Sequence, residues 1–141
     1  MIEYRTLTKR MEFSASHRYW NNNWSEKKNL EVFGKCTSKY GHGHNYVLET
    51  TIEGPVDPET GMIINIYKLK PMIKSVLKEF DHKFLNEDTD YFEELIPTTE
   101  NFAKILYEFN DKELLINLGQ RRNKDGAGSG AEYLITLHKD Y

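Results

Sequence analysis

Gly41-His42-Gly43-His44-Asn45 is the densest run of chemically useful residues in the chain. Alternate residues on a strand point to the same face. On a strand, His42 and His44 therefore reach one metal ion together. The flanking glycines remove side-chain bulk and permit a tight backbone path. His17 extends the pattern. It ends a loosely alternating segment that begins at Arg10 and carries Met11, Phe13 and Ala15 on one side, which reads as a strand. If this strand and the one opened by His42 are antiparallel neighbours, the end of the first lies beside the start of the second. All three imidazoles then meet at one rim of the sheet. Three histidines with an open position make a catalytic zinc arrangement, whereas structural zinc sites fill all four positions, usually with cysteine. Cys36, the one cysteine, lies six residues before His42 and cannot form an intrachain disulfide. It offers either a fourth ligand or a base. Lys35 and a nearby metal favour its thiolate, which can remove a proton from carbon next to a metal-bound hydroxyl. Asp81-His82 supplies the carboxylate and imidazole of a proton-transfer dyad. Adjacent residues rarely bond to each other, so each is expected to act with other partners. A polar helix end explains the pair equally well.

The elements that must position these groups are legible in outline. Asn45 to Glu53, rich in Tyr, Val, Thr and Ile, reads as a longer strand ended by Gly54-Pro55, with a turn at Asp57-Pro58-Glu59-Thr60-Gly61. Met62 to Ile66 reads as a short strand. Leu69, Met72, Ile73, Val76, Leu77 and Phe80 recur on one face of an amphipathic helix, which starts near Lys70 or bends at Pro71. A second helix starts after Pro97, with Thr98 as N-cap, Glu100 in the first turn, and Phe102, Ala103, Leu106 and Phe109 on the buried face. Leu114 to Leu118 and Ala131 to His138 are strand candidates. Asn21 to about Leu30 and Gly119 to Gly130 read as irregular. The order of two main strands and a short one, two helices and two strands implies one α+β domain over residues 1–141, with helices on one face of an antiparallel sheet.

Composition sets the limits. The 141 residues carry a formal net charge of −3, with 38% hydrophobic and 29% charged residues. That gives no electrostatic case for nucleic acid. An anionic substrate must be held by local cations. No apolar run approaches the roughly 20 residues that span a bilayer, and Met1 to Arg10 lacks the apolar core of a signal peptide. The cytoplasm is the expected location.

Six separated segments resemble the 6-pyruvoyl-tetrahydropterin synthase and 6-carboxy-tetrahydropterin synthase family, in its animal-type form. They are Phe13-Ser14-Ala15-Ser16-His17, Val32-Phe33-Gly34-Lys35-Cys36, Gly41 to Tyr46, Asp57 to Met62, Leu77 to Asp81-His82, and Thr98-Thr99-Glu100-Asn101. The resemblance runs from about Met11 to Asn110. It implies a T-fold: a four-stranded antiparallel sheet with two helices on one face, joined into a barrel in trimers that stack as a homohexamer. Active sites would lie between subunits. It implies zinc held by His17, His42 and His44, Cys36 as general base, and Asp81 and His82 as a proton relay. Thr99 and Glu100 would help bind the pterin. The implied reaction is the zinc-dependent conversion of 7,8-dihydroneopterin triphosphate to 6-pyruvoyl-tetrahydropterin with release of triphosphate.

The C-terminal part departs from that pattern. The family's Glu-Thr pair, whose carboxylate accepts two hydrogen bonds from the pterin's guanidine-like edge, has no counterpart after Glu113. Glu132 is the candidate for that role, with Asp125 and Asp140 as alternatives. Two other readings remain. One is a 6-carboxy-tetrahydropterin synthase of the queuosine pathway. The other is a non-catalytic zinc- or pterin-binding protein.

Overall fold

The computed structural model describes residues 3–117 and 132–139. Strand β1, Tyr4–His17, pairs antiparallel with β2, His42–Pro55, in one unbroken register from Tyr4 opposite Pro55 to His17 opposite His42. Period-two alternation buries Phe13, Ala15 and His17 of β1 and Tyr46, Leu48, Thr50 and Ile52 of β2. Odd residues of β1 and even residues of β2 thus share the face covered by helices. There, Phe13 stacks on Tyr46 with ring centroids 5.2 Å apart. Strand β4, Glu132–Lys139, pairs antiparallel with the other edge of β2. The last strand of the sheet, β3, is only Lys83–Phe84, parallel to Ala15 and Ser16 of β1. The order is β3-β1-β2-β4.

Among the described residues, three α-helices accompany the sheet: α1, Glu26–Phe33; α2, Ile66–Leu77; and α3, Thr99–Asn117. Leu69, Ile73 and Val76 of α2 and Phe102 and Leu106 of α3 close over Phe13, Tyr46 and Leu48 as one core. Each such side chain contributes about 1.5–3 kcal/mol when fully buried. Phe102 lies at the centre, within 5.2–5.8 Å of the rings of Phe13, Tyr46, Phe80 and Phe92.

Several expectations are corrected. The sheet is mixed, not antiparallel throughout. The chain leaves α2 beside the end of β1, where the His82 N–H donates to the Ser14 carbonyl (2.6 Å) and the Leu85 N–H to the Ser16 carbonyl (2.8 Å), which sets β3 parallel. Among the described residues there are three α-helices, not two. Helix α1 occupies part of the segment expected to be irregular. Ser25 caps it by accepting from the Lys28 N–H (3.2 Å), and buried Asn29 ties it to the preceding turn through Asn21 and Ser25. Met62 to Asn65 is not a strand, and Ile66 opens α2, capped by the Asn65 side chain. Pro71 stays inside α2 on its exposed face, where water can replace the missing hydrogen bond. Leu114 to Asn117 continues α3, so no strand forms there. The strand expected near residues 131–138 forms as β4, and Thr98 caps α3 by accepting from the Asn101 N–H. The loop expected at Gly119 to Gly130 lies outside the described residues, as do Asp125 and Asp140.

Candidate metal centre and active site

The register that builds the core also builds the site. His17 ends β1, His42 and His44 open β2, and all three fall on the helix-covered face. Their ring centroids form a nearly equilateral triangle with sides of 4.8, 4.9 and 4.7 Å. One ring nitrogen of each lies within 4.8 Å of the others. Gly41 sets the entry to β2. Its φ is +70°, and a Cβ there would stand 2.6 Å from the His17 carbonyl oxygen. Only glycine lets the chain pass this close to the end of β1.

His17 is fully buried. Its Nδ1 lies 2.9 Å from the Pro97 carbonyl, an acceptor only, so Nδ1 carries the proton and Nε2 presents its lone pair. That Nε2 faces His42 Nε2 at 3.2 Å. Two imidazole nitrogens bound to one tetrahedral zinc at about 2.0–2.1 Å stand about 3.3 Å apart. The donor set thus fits zinc in type, and the His17–His42 pair fits it in spacing. Burial, then the neighbouring imidazoles of His42 and His44, then the charge of Lys139 push the pKa of His17 down to about 3, against the opposing Pro97 hydrogen bond. Burial, His44 and Lys139 lower that of His42. Both rings are neutral at pH 7, the form that binds metal.

Cys36 lies half-buried in a 3₁₀ turn, Gly34–Thr37, and its carbonyl accepts from the Tyr19 N–H (2.8 Å). It is not among the three residues whose ligand atoms converge. Asp81 and His82 bond to each other, His82 Nδ1 to Asp81 Oδ1 at 2.9 Å, contrary to the expectation of separate partners. Asp81 Oδ1 also accepts from the Ser14 N–H at 3.0 Å. The direct bond is reached because His82 adopts φ +60°, a left-handed conformation rare outside glycine. The dyad lines a cavity of about 640 Å³ with Ser14, Asn45 and Val47. These residues alternate with the core-facing Phe13 and Tyr46. The dyad therefore opens on the solvent side of the sheet, while the triad opens on the helix side. Among the described residues, no hydrogen bond joins Cys36 to the dyad.

Thr99 and Glu100 stand in the first turn of α3, two and three residues beyond Pro97. Thr98 makes the cap, and the buried Thr99 Oγ1 has no hydrogen-bond partner among the described residues. The Glu132 backbone pairs with Glu53 at the far end of β4; its side chain lies outside the described residues. The sequence reading missed Tyr19, whose ring lies 4.8 Å from His17, and Lys139. The signal for Lys139 was the alternation Ile135, Leu137, Lys139, an apolar stripe ending in a cation.

Comparison with known proteins gives this geometry a family. A model of the 6-pyruvoyl tetrahydropterin synthase family matches residues 6–125. A 6-pyruvoyl tetrahydrobiopterin synthase of Drosophila melanogaster is 48% identical over 103 residues, 72% of this chain and 61% of that protein. A 6-carboxy-5,6,7,8-tetrahydropterin synthase of Aquifex aeolicus is 30% identical over 131 residues, covering 77% of this chain and 80% of that protein. The solved 6-pyruvoyl tetrahydropterin synthase of Caenorhabditis elegans superposes with a TM-score of 0.80 at 29% identity, covering 99% of this chain and 98% of that one. With most of its length matched by the family model, and with the fold shared with a solved member, the chain belongs to the 6-pyruvoyl tetrahydropterin synthase family.

Proposed function

We propose that the chain is a zinc-dependent lyase that converts 7,8-dihydroneopterin triphosphate to 6-pyruvoyl-tetrahydropterin and releases triphosphate. The observation that carries this reading is the convergence of His17, His42 and His44 in a member of this family. Bound there, zinc supplies Lewis-acid polarisation of a substrate side-chain oxygen, which acidifies the adjacent C–H. The Pro97 carbonyl keeps His17 in the ligating tautomer. Cys36, as thiolate, takes the proton from carbon. Asp81 orients His82 through Nδ1 and leaves Nε2 to receive and return that proton. Because the dyad opens on the face away from the triad, it serves Cys36 of a neighbouring protomer. The C–O bond to triphosphate breaks, triphosphate leaves with the electron pair, and an internal redox shift leaves a pyruvoyl side chain on a tetrahydropterin ring. Thr99 and Glu100 hold the pterin; Glu132, at the far end of β4, would reach its guanidine-like edge only from another protomer.

An assembly of copies follows from the same reading. Beyond Ala15 and Ser16, β1 has no partner on its β3 side among the described residues, and the outer edge of β4 has none either. Joining these edges between copies into a barrel, with trimers stacked as a homohexamer, satisfies both. No helix among the described residues is long and apolar enough to cross a membrane, which accords with a cytoplasmic enzyme. The test is to incubate zinc-loaded protein with dihydroneopterin triphosphate, identify the pterin by mass and follow triphosphate release. A pyruvoyl product with free triphosphate is expected. The Aquifex relative favours a second reading, 6-carboxy-tetrahydropterin synthesis, and a carboxy product would establish it instead. No turnover with zinc bound contradicts both.

A further inference from the structure

Lys139 stands on the ligand face of the site. It lies opposite Tyr46 in the β2–β4 register, so its side chain shares the helix-covered face with Tyr46, His44 and His17. Its Nζ is 3.5 Å from the Tyr19 hydroxyl and 5.8 Å from the centre of that ring, which packs against His17 at 4.8 Å. An ammonium at the inward end of an apolar stripe is unusual without an anionic partner. Among the described residues, no carboxylate forms an ion pair with it. A divalent ion at the triad adds like charge beside this ammonium. The two cations become compatible when an oxyanion lies between them, accepting from Lys139 and neutralising both.

We infer that Lys139 is a binding residue for an oxyanion of the phosphate class, and that it makes binding of the metal and the oxyanion cooperative. The inference rests on the reading of the triad as a zinc site. Its chemistry suits a phosphorylated substrate, whose charge a chain of net charge −3 cannot attract as a whole.

The experiment measures zinc affinity by competition with a chromophoric chelator, at constant ionic strength, in perchlorate and in sulfate. Sulfate is a tetrahedral oxyanion that binds free zinc weakly. Sulfate is expected to tighten zinc binding about tenfold in the native chain, a typical size for coupling between two sites. Lys139→Met is expected to bind zinc more tightly than the native chain in perchlorate and to lose the sulfate effect. Lys139→Arg, which keeps the charge, is expected to retain it. A purely structural role for Lys139 alters stability without altering the sulfate dependence. Equal sulfate dependence in the native chain and Lys139→Met overturns this inference alone. Absence of zinc binding in either anion overturns the zinc reading and this inference with it.

Discussion

His17 is held from both sides of its ring. Pro97 fixes Nδ1, His42 faces Nε2, and no part of the residue reaches solvent. Burial and the neighbouring imidazoles lower its pKa from 6.5 to about 3. Between those values the unfolded chain binds a proton that the folded chain refuses, so stability rises with pH in that window. Its contribution is complete above pH 6.5 and is lost as pH falls toward 3, and His42 acts in the same direction. Denaturant melts of metal-free protein are expected to show falling stability from pH 7 to pH 4. A flat profile would mean that His17 is solvated. Cys36 supports a separate test. Cys36→Ala is expected to reduce turnover about 10²–10⁴-fold, the usual worth of a positioned base, with zinc content unchanged. Loss of zinc would make Cys36 a ligand. The triad was legible in the sequence because two strand ends and a period of two suffice to bring three histidines together. The Asp81–His82 bond was not, because it depends on a left-handed backbone at His82 that composition does not announce.

The elements show where local pattern was enough and where it was not. The second half of β1 was readable from alternation, the middle of β2 from its Tyr, Val, Thr and Ile content, β4 only as a candidate, and α2 and the start of α3 from the spacing of apolar residues; Tyr4 to Lys9 of β1 was missed because its polar residues show no buried face. Helix α1 was hidden because it has little apolar stripe: Leu30 and Val32 are half-exposed, and the helix is held by buried Asn29 and by Trp24 stacked on Phe33. β3 was hidden because two residues carry no period. At this scale, Gly41→Ala is expected to destabilise the protein by more than about 1 kcal/mol, since alanine is strained at positive φ. Its Cβ would also press on the His17 carbonyl and on Phe84, at 2.6 and 2.8 Å. Weakened zinc binding should accompany the loss, read by chelator competition. Native stability would show that the strand entry relaxes freely. Phe102→Ala empties the centre of the aromatic cluster. It should cost about 3–5 kcal/mol in denaturant unfolding, and a cost below about 1 kcal/mol would mean that the helices do not close as described.

For the whole molecule, the edges of β1 and β4 that have no partner among the described residues, with the placement of dyad and triad on opposite faces, lead to one expectation. Light scattering should give a mass near six chains, and a monomeric mass would leave the relay without its thiol. None of this was readable from residue pattern alone; the assembly came only with the family resemblance, because edge pairing between copies leaves no local period. The proposed metal site at the end of the sheet can be tested directly. Zinc K-edge X-ray absorption on purified, zinc-loaded protein is expected to show three imidazole nitrogens and one oxygen at about 2.0–2.1 Å, with no sulfur at about 2.3 Å. A sulfur scatterer would draw Cys36 into the metal shell and remove the proposed base. A zinc environment without imidazole would contradict the site itself.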